Sequence, residues 1–92
     1  MLLLKSFIEF IGTFIFLGVI LSVGQAIPIG AALAVAIMFG GKISGGHFNP
    51  AVSLMMFVDR AINAKELVFY VLSQCLGGIT VLALHKYAVK HS

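Results

Sequence analysis

The sequence predicts an all-α membrane protein with three transmembrane helices and one short, re-entrant half-helix. Hydrophobic residues make up 61% of the 92 positions and charged residues only 10%, whereas charged residues are about a quarter of an ordinary soluble domain. The mean hydropathy is +1.14. Three apolar runs of membrane-spanning length are separated by a glycine-rich stretch and a much shorter apolar segment. We therefore expect a single domain, residues 1–92, in an integral, multi-pass membrane protein.

The first transmembrane helix is expected at about 6–24. The apolar run from Phe7 to Val23 is interrupted by Glu9 and by small or hydroxyl residues. At 1.5 Å per residue it can cross most of a hydrocarbon core about 30 Å thick. A cleaved signal peptide is the alternative interpretation. It is disfavoured because no charge precedes the first leucines and no A-x-A-like cleavage site follows.

The second and third transmembrane helices are expected at about 28–42 and 66–85. Pro28 suits the first turn of a helix, and the apolar run from Leu67 to Leu84 is long enough to span. Small residues recur at spacings of four, which lets helix backbones approach closely in lipid. Alternatively, these residues are there only because glycine is common in membrane helices. The expected packing residues are Gly12, Ala32, Ala36, Gly40, Gly77 and Gly78.

The stretch at about 43–58 predicts a re-entrant loop and half-helix. Asn49 is a good N-cap and Pro50 suits the first helical position. The nine residues from Pro50 to Val58 would form a helix about 14 Å long, or half of a bilayer core. We expect irregular backbone over 40–48, Asn49 near the midplane, and a return to the same surface at Asp59. A surface-lying amphipathic helix is the alternative, but the segment has no polar face.

A half-helix that begins at the midplane directs unpaired N–H groups and a positive dipole end to the membrane centre. The Asn49 amide adds two further donors there. Such a pore centre repels cations and passes water and neutral solutes. The net charge of +3, without a basic cluster, gives no indication of nucleic-acid binding. Neither a metal-ligand cluster nor a nucleophile beside a base is apparent, so we expect no enzyme, cofactor or metal.

Residues 44–53, SGGHFNPAVS, resemble the first Asn-Pro-Ala loop of the aquaporin and aquaglyceroporin family, also called the major intrinsic proteins. Three further stretches resemble the family's first, second and third helices. They are EFIGTF at 9–14, IGAALA at 29–34 and QCLGG at 74–78. The resemblance covers nearly the whole chain and implies an aquaporin half-fold that conducts water or small neutral solutes such as glycerol.

The resemblance also implies roles for individual residues. Asn49 would be the central pore donor, with Pro50 and Ala51 fixing the start of the half-helix. Glu9 and Gln74 would hold the loop through hydrogen bonds to its backbone. Alternatively, Glu9 is a solvated residue near the membrane surface, and the hydrogen bond of His47 is purely structural. The remaining pore-lining and filter positions would be His47, Gly45, Gly46, Val52, Ile29 and Ile37.

The family chain has two inverted halves with two Asn-Pro-Ala motifs, and this sequence has one. The expected partner is therefore a second copy in an antiparallel homodimer, and four such dimers would surround a central axis by resemblance to the family's tetramers. Both orientations are allowed because four Lys/Arg residues on one face oppose two on the other. Two alternatives stay open: half of a split channel whose other half supplies the filter arginine, and a non-conducting module that regulates a full-length channel.

Overall fold

The computed structural model describes residues 1–92 and contains four helices. They are α1 (Leu2–Ser22), α2 (Ala26–Ser44), α3 (Pro50–Val58) and α4 (Ala64–Lys90). The helices α1, α2 and α4 are each long and apolar enough to cross a membrane. Together with the short α3, they confirm the all-helical class with three spans and one shorter helix.

Each helix end has a local cause. Gly24, in the left-handed region at φ +68°, turns the chain between α1 and α2. Asn63 caps α4 in a capping box. Its side chain accepts from the Glu66 backbone N–H, and the Glu66 side chain accepts from the Asn63 backbone N–H. Since α4 continues through the polar residues after Leu84 to Lys90, it extends beyond the apolar run that predicted it.

The helices α1 and α4 run in the same direction and α2 runs against them. Lys5 pairs with Glu66 near the starts of α1 and α4. Further along, Gly77 lies against the Phe10 carbonyl, while Gly40 of α2 lies against the Ile8 side chain. The α3 helix contacts α4 and ends at the surface where α1 and α4 begin. The chain therefore turns back to that surface without crossing.

The interior of this molecule is polar, whereas its outer surface is apolar. Only 14 of 92 residues are buried. Half of these are polar or charged, three are glycines, and the four hydrophobic ones are Ala36, Phe48, Tyr70 and Val81. Because lipid is as apolar as a leucine side chain, helices in a membrane associate through close packing and hydrogen bonds. The distribution fits a protein whose solvent is the bilayer.

The irregular segment is shorter than we expected. Gly40 and Gly41 were predicted to be loop, but α2 continues to Ser44 and irregular backbone occupies only 45–49. Within α2, Gly40 permits close packing: a Cβ there would lie 2.7 Å from an Ile8 methyl carbon. Of the predicted packing residues, Gly12, Ala36, Gly40 and Gly77 are buried, whereas Ala32 and Gly78 are half-buried.

Candidate functional site

A buried carboxylate organises the loop between α2 and α3. Glu9, on α1, has no exposed surface. Its Oε1 accepts from the Phe48 backbone N–H at 2.7 Å and from Gln74 Nε2 at 2.9 Å. Its Oε2 accepts from Ser44 Oγ at 2.7 Å and from the His47 backbone N–H at 3.1 Å. The four donors match the four lone-pair positions of a carboxylate, so the loop is anchored to α1 and α4.

The turn from α2 into the loop depends on two glycines. Gly45, the C-cap of α2, has φ +91°, and Gly46 has φ +65°. Both values lie in the left-handed region, which glycine enters without the steric cost of a Cβ. Ser44 Oγ accepts from the Gly46 backbone N–H at 3.2 Å. The two glycines therefore turn the chain so that the next two residues, His47 and Phe48, reach the Glu9 carboxylate.

The Phe48 side chain packs the loop against α1 and α2. Its backbone has φ +52°, which is rare for an aromatic residue. The ring is 2% exposed and fills a slot left by glycines, since a Cβ on Gly12 would overlap it. A Cβ on Gly40 would lie 3.0 Å from the same ring. The anchored N–H and the packed ring together hold this strained conformation.

Asn49 caps α3 and retains two unused donors. Its Oδ1 accepts from the Ala51 backbone N–H at 2.8 Å, with Pro50 at the first helical position. Because the NH₂ group of an amide cannot accept a hydrogen bond, the Asn49 atom that faces the Ala51 N–H is the oxygen. Nδ2 has no partner in the chain, and Asn49 is exposed. The site therefore presents an amide NH₂ at the start of the half-helix.

Asn49 and Pro50 border an open groove of about 660 Å³. The groove continues from the start of α3 along the later turns of α1 and α4, where its polar lining is confined to the deep end at Thr13, Asn49 and Gln74. The apolar walls are formed by Phe16, Leu17, Ile20, Leu21, Ile79 and Leu82. One chain thus leaves the region beyond the half-helix unfilled.

The structure brings some predicted pore residues together and separates others. Ile37 is 43% exposed, and a Cβ on Gly46 would lie 3.4 Å from its side chain. Val52 is half-buried, one turn into α3. Ile29 lies eight residues before Ile37 in α2, which places it about 12 Å away toward the opposite surface. Within one chain these four positions therefore do not form a single ring.

His47 and Gln74 belong to a buried network that sequence reasoning only partly described. Gln74 Nε2 donates to Ser53 Oγ at 2.8 Å as well as to Glu9. His47 Nδ1 lies 2.8 Å from Ser53 Oγ, and the His47 ring packs on Tyr70 with centroids 4.9 Å apart. The Tyr70 hydroxyl donates to the Ser44 carbonyl. Ser53, the last residue of the loop motif, and Tyr70, outside every motif, were not predicted as site residues.

Glu66 links the start of α4 to α1. Its carboxylate completes the capping box with Asn63 at 3.0 Å and pairs with Lys5 Nζ at 3.4 Å. The spacing Asn63-x-x-Glu66 is a readable capping signal, although the Lys5 contact across 61 residues is not. These bonds tie α1 to the segment that connects α3 and α4.

The fold and the site define an integral membrane protein with a half-helix that begins inside the helix bundle and returns to the surface of origin. The family model for the major intrinsic proteins matches residues 19–92. The chain therefore belongs to the major intrinsic protein family, as the loop motif predicted.

Curated relatives agree with this assignment. The chain is 42% identical over 92 aligned residues to glycerol uptake facilitator protein-like 6 of Lactiplantibacillus plantarum, covering 89% of this chain and 42% of that protein. It is 40% identical to probable aquaporin PIP2-7 of Oryza sativa, covering 73% and 23% of the two chains. It is 38% identical to aquaporin-4 of Mus musculus, covering 77% and 27%. The chain thus spans less than half the length of these relatives. No solved structure matches it significantly.

Proposed function

We propose that this chain forms half of a passive transmembrane channel for water and small neutral solutes such as glycerol. The observation that carries the proposal is the Asn49 amide. Its oxygen is used in capping α3, so its NH₂ group remains free at the open groove. A water or alcohol oxygen can accept from these donors, whereas a cation is repelled by the same donors and by the positive end of α3. The names of the relatives, a glycerol uptake facilitator and two aquaporins, support this class of solute.

We propose that a second, antiparallel copy completes the pore, with the two-fold axis in the membrane plane. The open groove beside Asn49 and Pro50 supports this arrangement because one chain leaves it unfilled. An inverted pair would reproduce the inverted repeat that transport proteins often carry in one chain. Four such dimers around a central axis would follow by family resemblance.

The charge distribution allows insertion in both orientations. The surface where α1 and α4 begin holds four Lys/Arg residues, which are Lys5, Lys42, Arg60 and Lys65. The opposite end of α4 carries Lys86 and Lys90. The difference between the two faces is therefore small for a rule that sets orientation by Lys and Arg.

We expect the apolar residues at the two entrances of the proposed pore to determine which solutes pass. Val52 stands directly after the Asn-Pro-Ala motif, and the exposed Ile37 lies beside Gly46. In a symmetric dimer no arginine would stand beside either motif, so cation exclusion would depend on the two α3 starts and the Asn49 amides. Apolar walls suit the carbon backbone of glycerol and would slow water by dewetting.

The decisive measurement is stopped-flow light scattering on proteoliposomes that contain only this chain, with water and glycerol gradients. The variant Asn49→Asp keeps an oxygen to cap α3 but removes both donors and adds a negative charge. Asn63→Asp is the matched control, since Asn63 caps α4 in the same way at the surface. We expect permeability above empty liposomes that Asn49→Asp lowers towards background and Asn63→Asp retains.

Cross-linking of the purified chain separates the homodimer from the other assemblies. A cross-linked dimer together with permeability supports the inverted pair. Folded, inserted protein with background permeability would refute the homomeric channel. Permeability restored by a co-expressed second half would then favour the split channel, and altered conduction of a full-length relative would favour the regulatory module.

A further inference from the structure

Ser53 differs from the other serines inside the helices of this chain. Ser6, Ser22 and Ser73 each donate to the carbonyl four residues earlier in their own helix, whereas the Ser44 hydroxyl donates to Glu9. Ser53 makes no such bond, although it lies in α3 and has no exposed surface. Its hydroxyl instead lies between Gln74 Nε2 and His47 Nδ1, at 2.8 Å from each.

The direction of each hydrogen bond follows from counting hydrogens. Gln74 Nε2 has two hydrogens, one donated to Glu9 and one to Ser53 Oγ. The Ser53 hydroxyl thus accepts from Gln74, and its own hydrogen has one acceptor within reach, which is His47 Nδ1. A protonated Nδ1 would leave the Ser53 hydrogen buried without an acceptor, and burying an unpaired polar group is costly. The reverse orientation of the Gln74 amide would direct its oxygen at the Glu9 carboxylate.

We infer that Ser53 is a positioning residue that holds His47 with Nδ1 unprotonated and Nε2 carrying the hydrogen. The cost of an unpaired buried hydroxyl, about 1–3 kcal/mol, corresponds to a population ratio of about 5 to 1 or more in favour of this form. The sequence motif identified His47 but not which ring nitrogen is available. The network leaves Nε2 as the free one.

The free Nε2–H is a donor on the side of the loop that faces the surface where α1 and α4 begin, because the cavity it borders also includes Lys5 and Glu66. A Cβ on Gly45 would lie 3.2 Å from Nε2, so this nitrogen stands beside the first loop residue. His47 is only 8% exposed, and it lines a cavity of about 350 Å³ together with Gly45 and Tyr70. The ligand chemistry that fits is a neutral oxygen acceptor, either water or the hydroxyl of an alcohol. Its part in solute passage rests on the proposed channel function, whereas the protonation pattern of the ring does not.

Solid-state ¹⁵N NMR of the chain in bilayers, labelled at histidine, tests the inference directly. A background variant with His85→Gln and His91→Gln leaves His47 as the only signal. We expect a hydrogen-bonded, unprotonated Nδ1 and a protonated Nε2 that correlates with water. Ser53→Ala should shift the Nδ1 resonance because its donor is gone. Ser73→Ala is the matched control, since its hydroxyl bonds only within its own helix.

The outcomes distinguish this inference from the channel proposal. A protonated Nδ1 in the unsubstituted network, or a spectrum that Ser53→Ala leaves unchanged, overturns the role of Ser53. If Ser53→Ala does not fold, the spectrum of the background variant alone decides the tautomer. In liposomes we expect Ser53→Ala to lower permeability several-fold relative to Ser73→Ala. An unchanged permeability with the expected spectrum would remove the donor role while leaving the tautomer intact.

Discussion

The substitution Gly77→Ala tests how tightly the site depends on the packing of α1 against α4. A Cβ at this position would lie 2.8 Å from the Phe10 carbonyl oxygen and 3.3 Å from the Phe14 backbone nitrogen. Ordinary contact begins near 3.4 Å, and both neighbours are backbone atoms that no rotamer change can move. The two helices would have to separate by about 0.6 Å, and overpacking of this kind costs about 1–3 kcal/mol.

A gain in helix propensity opposes that cost. Alanine is favoured over glycine inside a helix by up to about 1 kcal/mol, so we expect a net loss of up to about 2 kcal/mol in the free energy of unfolding. Gly30→Ala is the matched control, because a Cβ there meets nothing within 4 Å. Denaturation in mixed micelles of increasing SDS content, followed by circular dichroism, measures both variants. Equal stability of the two would refute the close-packing argument.

Separation of α1 from α4 should also weaken the hydrogen bonds of Gln74 in the candidate site. Gln74 lies one turn before Gly77 on α4, and its bonds to Glu9 and Ser53 measure 2.9 and 2.8 Å. Hydrogen bonds of this type weaken beyond about 3.2 Å, so a shift of a few tenths of an ångström loosens both. We therefore expect Gly77→Ala to lower both the permeability of liposomes and the free energy of unfolding. Gly30→Ala should lower neither.

Two further substitutions separate buried from surface contributions to the free energy of unfolding. Phe48→Ala should cost about 3 kcal/mol, because it empties the slot beside Gly12 and Gly40; the control Phe39→Ala, at a side chain that is 81% exposed, should cost little, and the same SDS denaturation compares them. Lys5→Met should cost less than about 1 kcal/mol, since the pair with Glu66 is partly exposed and screened by salt. A loss for Lys5→Met that is as large at high salt as at low salt would contradict this assignment.

The three spanning helices could be predicted because their signal is local. Long apolar runs, Pro28 near a helix start and the Asn49-Pro50 pair each act within a few residues. The length of the loop could not be predicted in the same way. Gly40 and Gly41 fit a helix or a loop equally well. The α2 helix extends to Ser44, whose side chain donates to Glu9 across 35 residues, a contact that the local sequence does not reveal.

The central residue of the site, Asn49, could be predicted from the sequence, whereas the residues that hold the loop in place could be predicted only in part. Glu9 and Gln74 were both expected, from family resemblance, to bond the loop backbone. In the structure Glu9 accepts from the loop N–H groups of His47 and Phe48, whereas Gln74 bonds to Glu9 and to Ser53 instead of to the loop backbone. No role was assigned to Tyr70, or to Ser53 at the end of the loop motif, since a serine or tyrosine in a membrane helix more often bonds its own backbone or lies at the interface. Their contacts depend on how α3 lies on α4, which is a property of tertiary packing.

A single chain already organises the donor end of the proposed pore. Each acceptor position of Glu9 is filled from within the chain, by groups on α2, on the loop and on α4. The Asn49 amide is oriented by the backbone of its own helix. We therefore expect that a second half closes the groove beside Pro50, whereas the loop is ordered by contacts within this chain. Since an already ordered loop adds little entropy cost to association, the loop would not oppose assembly of the proposed pair. The stability of the isolated chain in micelles, measured on Glu9→Ala and on the unsubstituted sequence, would separate these contributions: a loop that is ordered only in the dimer would leave the monomer insensitive to this substitution.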